Sequence, residues 1–358
     1  MQIVLATTAR QRGGSWRHIE DLGVELRLRG HEVTVALLPA ARELHVAATS
    51  AQLAWRPLPR MLRRRADVWH LHLHDTFEPS SLRVLAVRRP FGAALVTEHL
   101  PRTPGSDREL APGARHGLTG EVARSAFKRG QVALAARTVV PSHGAARFMH
   151  RRYRLSAHDV AVVHHGVSGF PAAVPPLAGD GLDVVSIGAL IEQKGLDVLV
   201  AAARRSRHPW RVTIVGGGPL RAQLERTAAA AVGPRRARFA GWTEDPSRYL
   251  RDSHVLCMPS RYESFGYAAA EAAAWGRPAV ASLVDGLDEV VVSGRTGILV
   301  PPGDPDALAA ALDGLWEDRD RLVALGRAAR EHVREHFTIE RSVDALMAVY
   351  EDVAGRRS

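Results

Sequence analysis

The stretch from residue 258 to residue 303 carries the clearest chemical pattern in the chain. Glu263 and Glu271 stand eight positions apart, where a predicted strand turns into a helix. A carboxylate offers two acceptors to a pair of neighbouring hydroxyl groups. The first amides of the helix, at residues 264–267, can bind a phosphate. The pattern therefore favours a ligand with sugar-like hydroxyl groups and phosphate.

Other nucleotide chemistries fit less well. The glycines of residues 216–218 follow a predicted strand, but Arg221 stands where the dinucleotide fingerprint requires its third glycine. The first turn has only Gly13 and Gly14, and no glycine precedes a Lys-Ser or Lys-Thr pair as in a P-loop. A single cysteine, Cys257, excludes an intramolecular disulfide and any cysteine-based metal cage. A dehydrogenase, a P-loop NTPase and a redox centre are disfavoured.

No metal site is predicted. The acidic pairs within residues 304–306 and 318–320 stand at helix starts, where N-capping explains them. His70, His72 and His74 share one face of a predicted strand and could hold zinc. These histidines are better explained as polar side chains at a strand end that borders a cleft. Apart from Asp75, no carboxylate or histidine that would complete a zinc site accompanies them.

The elements that position these residues alternate between strand and helix. A strand–helix–strand unit opens the chain, a Gly/Pro-rich stretch occupies residues 166–181, and the alternation then restarts. We predict an α/β protein with two Rossmann-like, doubly wound domains facing a cleft, into which the carboxyl ends of the strands point. The predicted parts are an N-terminal domain (1–168), a linker (169–181), a second domain (182–338) and a helix that packs back on the first domain (339–358).

Composition and charge narrow the class of partner. The 358 residues are 46% hydrophobic and 24% charged, as in a globular protein, with a net charge of +10. Residues 1–170 carry 25 basic and 13 acidic side chains, a balance of +12, so the first domain is expected to face an anionic acceptor or membrane. The arginines of residues 60–65 could lie on a membrane surface. With no signal peptide or 18-residue apolar run, we expect a cytoplasmic protein with peripheral contact on the inner face of the membrane.

Several motifs follow one another along the chain in the order found in a known protein family. The chain resembles the retaining glycosyltransferases of family 4, which have the GT-B fold of the glycogen-synthase and sucrose-synthase type, over nearly its whole length. The second half carries the more specific motifs, and the first half agrees more loosely. These motifs are Ile187-Gly188-Ala189-Leu190, Gln193-Lys194-Gly195, Val215-Gly216-Gly217-Gly218-Pro219, Glu263-x7-Glu271, Gly286-Leu287-x-Glu289 and Thr97-Glu98-His99.

The resemblance implies a role for each matching residue. Glu271 would hold the ribose hydroxyls of the donor, Glu263 those of the transferred sugar, and Lys194 would neutralise the diphosphate. His99 would stand beside the anomeric carbon, where its imidazole or its carbonyl supports developing positive charge. The remaining donor-binding residues would be Gly13, Gly14, Gly188, Gly216, Gly218, Ser264, Phe265 and Gly266. Ala189 departs from the arginine that the family usually has there; Arg261, Arg12 or Arg17 could compensate.

The predicted activity is retaining transfer of a sugar from a UDP- or GDP-linked donor to a hydroxyl acceptor, with no metal ion and no cofactor. The acceptor is expected to be anionic or lipid-linked. The alternatives are a nucleotide-sugar hydrolase or epimerase and an inactive sugar-nucleotide-binding protein of the same fold. A basic nucleic-acid-binding protein fits least, because aromatic residues are only 6% of the chain and form no stacking cluster among the arginines.

Overall fold

A computed structural model of the chain describes residues 1–9, 12–73, 77, 79–88, 91, 94–101, 118–174 and 179–355. The chain divides into two compact units. Unit 1 consists of Met1–Ser168 and Thr338–Ser358, and unit 2 consists of Gly169–Phe337.

Unit 1 is built on a sheet of seven parallel strands. The strands are β1 (Gln2–Thr7), β2 (Glu32–Leu37), β3 (Ala54–Pro57), β4 (Val68–Leu73), β5 (Ala94–Glu98), β6 (Arg137–Val140) and β7 (Val160–Val162). Their order across the sheet is β3-β2-β1-β4-β5-β6-β7. The helices between them are α1 (Gly14–Leu28), α2 (Arg42–Ser50), α3 (Leu58–Met61), α4 (Pro79–Arg88), α5 (Leu118–Leu134) and α6 (His143–Tyr153). Such crossovers place the carboxyl ends of all strands at one edge.

Unit 2 repeats this design with six parallel strands. The strands are β8 (Asp183–Ile187), β9 (Arg211–Val215), β10 (Ala237–Gly241), β11 (Val255–Met258), β12 (Ala279–Ser282) and β13 (Gly297–Val300), in the order β10-β9-β8-β11-β12-β13. The helices are α7 (Leu196–Arg205), α8 (Arg221–Ala231), α9 (Ser247–Arg251), α10 (Tyr267–Ala274), α11 (Leu287–Val290), α12 (Pro305–Glu317) and α13 (Arg319–His336).

The last helix of the chain, α14 (Ile339–Gly355), belongs to unit 1. Its apolar residues recur every three or four positions, which is the helical period, so they lie on one face. That face joins the core formed by α1, α2 and the neighbouring strands. The core residues that it contributes are Ile339, Val343, Leu346, Tyr350 and Val353, all at most 4% exposed.

Helix capping accounts for both acidic pairs that were considered as metal ligands. The Asp304 carboxylate accepts hydrogen bonds from the first amides of α12, and the Asp318 carboxylate accepts one from Arg321 N in α13. Each carboxylate satisfies amides that have no partner within the helix, as predicted. Within the described residues, no helix is long and apolar enough to cross a membrane.

Candidate active site

A lysine–glutamate pair forms the centre of the site in unit 2. Glu263 follows β11 and is 6% exposed. Its Oε1 atom accepts a bond from Nζ of Lys194 at 2.5 Å and another from Oγ of Ser260 at 2.9 Å. Both bonds reach Oε1, so Oε2 is the carboxylate oxygen that the described residues leave for a ligand. A small cavity of about 10 Å³ lies beside Lys194, bordered also by Gly188 and Ser260.

The lysine is held in place by backbone contact between two loops. It ends a single 3-10 turn that connects β8 to α7. Within that turn Gln193 donates from its side chain to the carbonyl of Tyr262, and its own carbonyl accepts from Arg261 N. The next residue, Gly195, has φ +61°, and a Cβ there would lie 2.0 Å from the Pro259 carbonyl oxygen. The turn therefore packs directly on the loop that carries the glutamate.

Two glycines after β9 are required by the protein's own backbone. A Cβ on Gly216 would lie 1.9 Å from the carbonyl oxygen of Gly188, and one on Gly218 would lie 2.5 Å from that of Leu190. We predicted these glycines because they would let the chain approach a nucleotide. The structure shows a second requirement, which is close packing between two strand–helix loops. Their contact with a nucleotide stays a prediction.

The start of α10 is packed under a neighbouring loop. Ser264 and Phe265 are buried, and Gly266 caps the helix with φ +89°. A Cβ on Gly286 would lie 2.4 Å from the carbonyl carbon of Ser264. The amide end of α10 is therefore fixed, and Glu271 projects from the second turn of that helix as a half-buried side chain.

Arg261, one of the arginines expected to compensate for Ala189, is paired within unit 2. Its guanidinium makes two bonds to the carboxylate of Asp197, at 2.7 and 2.9 Å, and a third to the carbonyl of Glu192. Burial would raise the pKa of Asp197, but the bonds from Arg261 outweigh burial and lower it. A carboxylate on α7 therefore holds Arg261, and its compensating role stays a prediction. Arg17 of unit 1 is likewise paired, with Asp21.

Unit 1 contains the other predicted residues. Gly13 precedes α1 and Gly14 begins it, and a Cβ on either would meet no atom of the described residues within 4 Å. His99 follows β5 and is half-buried. Its two ring nitrogens are hydrogen-bonded to two other imidazoles: Nε2 to His72 Nδ1 at 3.1 Å, and Nδ1 to His165 Nε2 at 3.2 Å.

Sequence reasoning missed this histidine cluster. His18 of α1 completes it, because its ring centroid lies 4.0 Å from that of His165. The only sequence signal was the alternation of His70 and His72 along one strand. Both nitrogens of His70 bond to protein groups, Nδ1 to the Tyr350 hydroxyl and Nε2 to Thr97 Oγ1, so packing explains that residue. The third histidine of this alternating set, His74, lies outside the described residues.

Comparison with known proteins decides the family. A family model described as "Glycosyltransferase Family 4" matches residues 12–168, and one described as "Glycosyl transferases group 1" matches residues 181–318. The chain is 30% identical to the phosphatidyl-myo-inositol mannosyltransferase of Mycolicibacterium smegmatis, over 96% of this chain and 91% of that protein. The chain belongs to the family 4 glycosyltransferases.

Similarity to other members of the family is more local. The chain is 36% identical to the D-rhamnosyltransferase WbpZ of Pseudomonas aeruginosa over 157 residues, which are 42% of this chain and 40% of that protein. The crystal structure of Anabaena HepE in complex with UDP and glucose superposes with a TM-score of 0.78 at 16% identity, covering 98% of this chain and 99% of that one. These comparisons confirm the predicted α/β, GT-B fold class.

Proposed function

We propose that this glycosyltransferase moves a sugar from a nucleoside diphosphate sugar to a hydroxyl acceptor, with retention of configuration and without a metal ion. The observation that carries the proposal is the buried Glu263 carboxylate, which is bonded through one oxygen to Lys194 and Ser260. The family relationship supports transfer, and the UDP in the related HepE crystal supports a uridine donor.

Each residue of unit 2 would do a separate part of the binding. Oε2 of Glu263 accepts from hydroxyls of the transferred sugar, and Glu271 accepts from the ribose. The ammonium of Lys194 has three N–H donors and uses one on Glu263, so the other donors can reach the diphosphate. Amides at the start of α10 complete the phosphate contacts. Lys194 and oriented amides together stabilise the charge of the leaving group.

The proposed reaction needs no nucleophile from the protein. The bond between the anomeric carbon and the phosphate oxygen breaks, and its electron pair leaves with the nucleoside diphosphate. The acceptor oxygen bonds to the anomeric carbon on the face that the diphosphate leaves. The proton of the acceptor hydroxyl passes to an oxygen of the departing diphosphate. Because the acceptor attacks on the face that the diphosphate leaves, the anomeric configuration is retained. His99 supports the positive charge that develops on the sugar.

Product analysis tests this proposal. The purified protein is incubated with UDP- and GDP-sugars, with and without EDTA, in the presence and absence of alcohol and phospholipid acceptors. The expected product keeps the anomeric configuration of the donor, seen in its proton coupling constants, and forms equally well with EDTA. An inverted product or a strict need for a divalent cation would overturn the mechanism. Release of free sugar alone, whatever the acceptor, would favour the hydrolase alternative.

The acceptor is proposed to be anionic and held at a membrane surface. Arg60, Arg63, Arg64 and Arg65 are all exposed in unit 1, and a phosphatidyl-myo-inositol mannosyltransferase is a relative over nearly the whole chain. Each basic side chain near an anionic membrane contributes about 1 kcal/mol, and salt screens that attraction.

Replacing these four arginines by serine is expected to weaken binding to phosphatidylglycerol vesicles by more than about tenfold at low salt. Donor hydrolysis should stay unchanged, because unit 2 holds the proposed donor site. Replacement of the exposed Arg204 and Arg205 of unit 2 is the control. Vesicle sedimentation that is equal for all three proteins would exclude this surface as the membrane contact.

A further inference from the structure

Three imidazoles of unit 1 form one hydrogen-bonded chain with His99 in the middle. His72 bonds to one ring nitrogen of His99 and His165 bonds to the other, at 3.1 and 3.2 Å. The flanking rings are the more buried ones: His72 is fully buried and His165 is 7% exposed. Since both of its ring nitrogens are engaged, the His99 ring is fixed against rotation and reversal.

The three rings come from separate segments that meet at the carboxyl edge of the sheet. His72 lies in β4 next to β5, where it pairs in register with Thr97, and His99 directly follows β5. His165 lies beyond β7. The chain after it is tied to the start of α14, because Ile339 N donates to the Val167 carbonyl. A Cβ on Gly166 would lie 2.4 Å from the Ile339 Cα. The segment that bears His165 is thus held by backbone packing.

Burial keeps both flanking imidazoles uncharged. It lowers the pKa of His72 and of His165 well below the usual range, so both rings are neutral at pH 7. A neutral imidazole has one N–H donor and one acceptor nitrogen, so each flanking ring either donates to His99 or accepts from it.

We propose that His72 and His165 are positioning residues that lock His99 in the orientation required for sugar transfer. The expected effect on kcat rests on the proposed function. The expected effect on the orientation of the His99 ring rests on geometry alone. Both ring nitrogens of His99 already bond to other side chains of unit 1, so the loss of those side chains should free the ring to rotate. Displacement of a reacting group by about 1 Å can reduce turnover about a hundredfold.

The kinetic test compares truncation with partial replacement. His72→Ala and His165→Ala are expected to lower kcat by about 10- to 100-fold and to leave the dissociation constant of the nucleoside diphosphate unchanged. His165→Gln and His72→Asn place an amide near the lost nitrogen, and they should recover part of that loss. The exposed His158→Ala is the matched control and should behave as wild type. Equal losses in kcat and nucleotide affinity would make these residues donor ligands and overturn the inference.

The spectroscopic test does not depend on activity. Nitrogen–proton correlation spectra of the imidazoles, with the His99 signals assigned through His99→Gln, should show one dominant tautomer of His99. That tautomer should lose its fixed population in either alanine variant, and the Gln and Asn variants serve if an alanine variant does not fold. An unchanged His99 tautomer in these variants would overturn positioning. A wild-type protein without turnover would refute the proposed function, while the spectra would still decide the inference.

Discussion

At the scale of residues, the two lysines of the chain show where lysine cannot be exchanged for arginine. Among 48 basic residues only Lys128 and Lys194 are lysines, and each ammonium bonds to a glutamate. Lys128 and its partner Glu98 are completely buried in unit 1. An ammonium is a compact charge that fits one carboxylate oxygen, whereas a guanidinium is a planar fork. Arginine therefore cannot reproduce either contact with the same geometry.

This difference gives a prediction for Lys194. We expect Lys194→Ala to lower turnover about a hundredfold or more, because the leaving diphosphate loses its cation. Lys194→Arg should recover only a small part, since its fork no longer meets Glu263 Oε1 and the diphosphate together. Steady-state rates of donor cleavage measure both changes, with the exposed Arg205→Ala as control. Wild-type turnover by Lys194→Ala would remove this residue from the mechanism.

Sequence reasoning selected Lys194 and Glu263 but not the bond between them. The two residues are 69 positions apart, and only the packing of two strand–helix loops brings them together. Motif spacing also gave no sign that Asp197 would bind Arg261. The histidine chain was missed for the same reason, because its members come from three segments that only the sheet unites.

At the scale of elements, most strands were predictable from the sequence, and the edge strand β3 was not. Strand β11 is buried along its whole length and appears in the sequence as a continuous apolar run. Strand β3, at the edge of the sheet of unit 1, is only partly buried and ends in Pro57. It therefore lacks both the apolar run and the alternation that indicate a strand.

The strand–helix loops of unit 2 give a prediction that separates two neighbouring glycines. Gly216→Ala is expected to lower the free energy of unfolding by about 3 kcal/mol or more, because its Cβ collides with the Gly188 carbonyl and its φ is +145°. A Cβ on Gly217 meets only Trp242 Cβ at 3.7 Å, so Gly217→Ala should change that free energy by no more than about 0.5 kcal/mol. Urea denaturation compares the two, and equal effects would refute the predicted loop packing.

The attachment of α14 to β4 predicts a pH dependence of stability. Burial lowers the pKa of His70, which bonds to Tyr350 of α14, to about 3. The unfolded chain, with an ordinary histidine pKa near 6.5, binds more protons between those values. The free energy of unfolding should therefore fall as pH drops below about 6.5, by up to about 1.4 kcal/mol per pH unit for this group.

The variant His70→Gln isolates that contribution. Glutamine stays uncharged and can still bond to Tyr350 and Thr97, so the slope between pH 6 and pH 4 should decrease by about one proton. Urea denaturation at several pH values measures the slope, with the exposed His158→Gln as control. A slope that His70→Gln leaves unchanged would show that His70 does not titrate as its burial requires.

At the scale of the whole molecule, the chain folds into two units, and its excess of basic side chains lies in the first half of the sequence. Residues 1–170 carry the excess of basic side chains, while residues 171–358 carry 23 basic and 25 acidic ones. Each unit has its own parallel sheet and its own core. The proposed donor residues lie mainly in unit 2, and the basic surface lies in unit 1. This division fits one unit for the nucleotide sugar and one for an anionic acceptor.

Nucleotide binding tests the central claim most directly. Thermal unfolding of the wild type and of Lys194→Ala is measured with UDP, GDP and ADP, each with and without EDTA. At 100 times the dissociation constant a ligand adds about 2.7 kcal/mol of stability. We predict that one nucleoside diphosphate raises the Tm of the wild type, that EDTA does not reduce the rise, and that Lys194→Ala abolishes most of it. No rise with any nucleotide, or an equal rise in the variant, would contradict the assigned donor site.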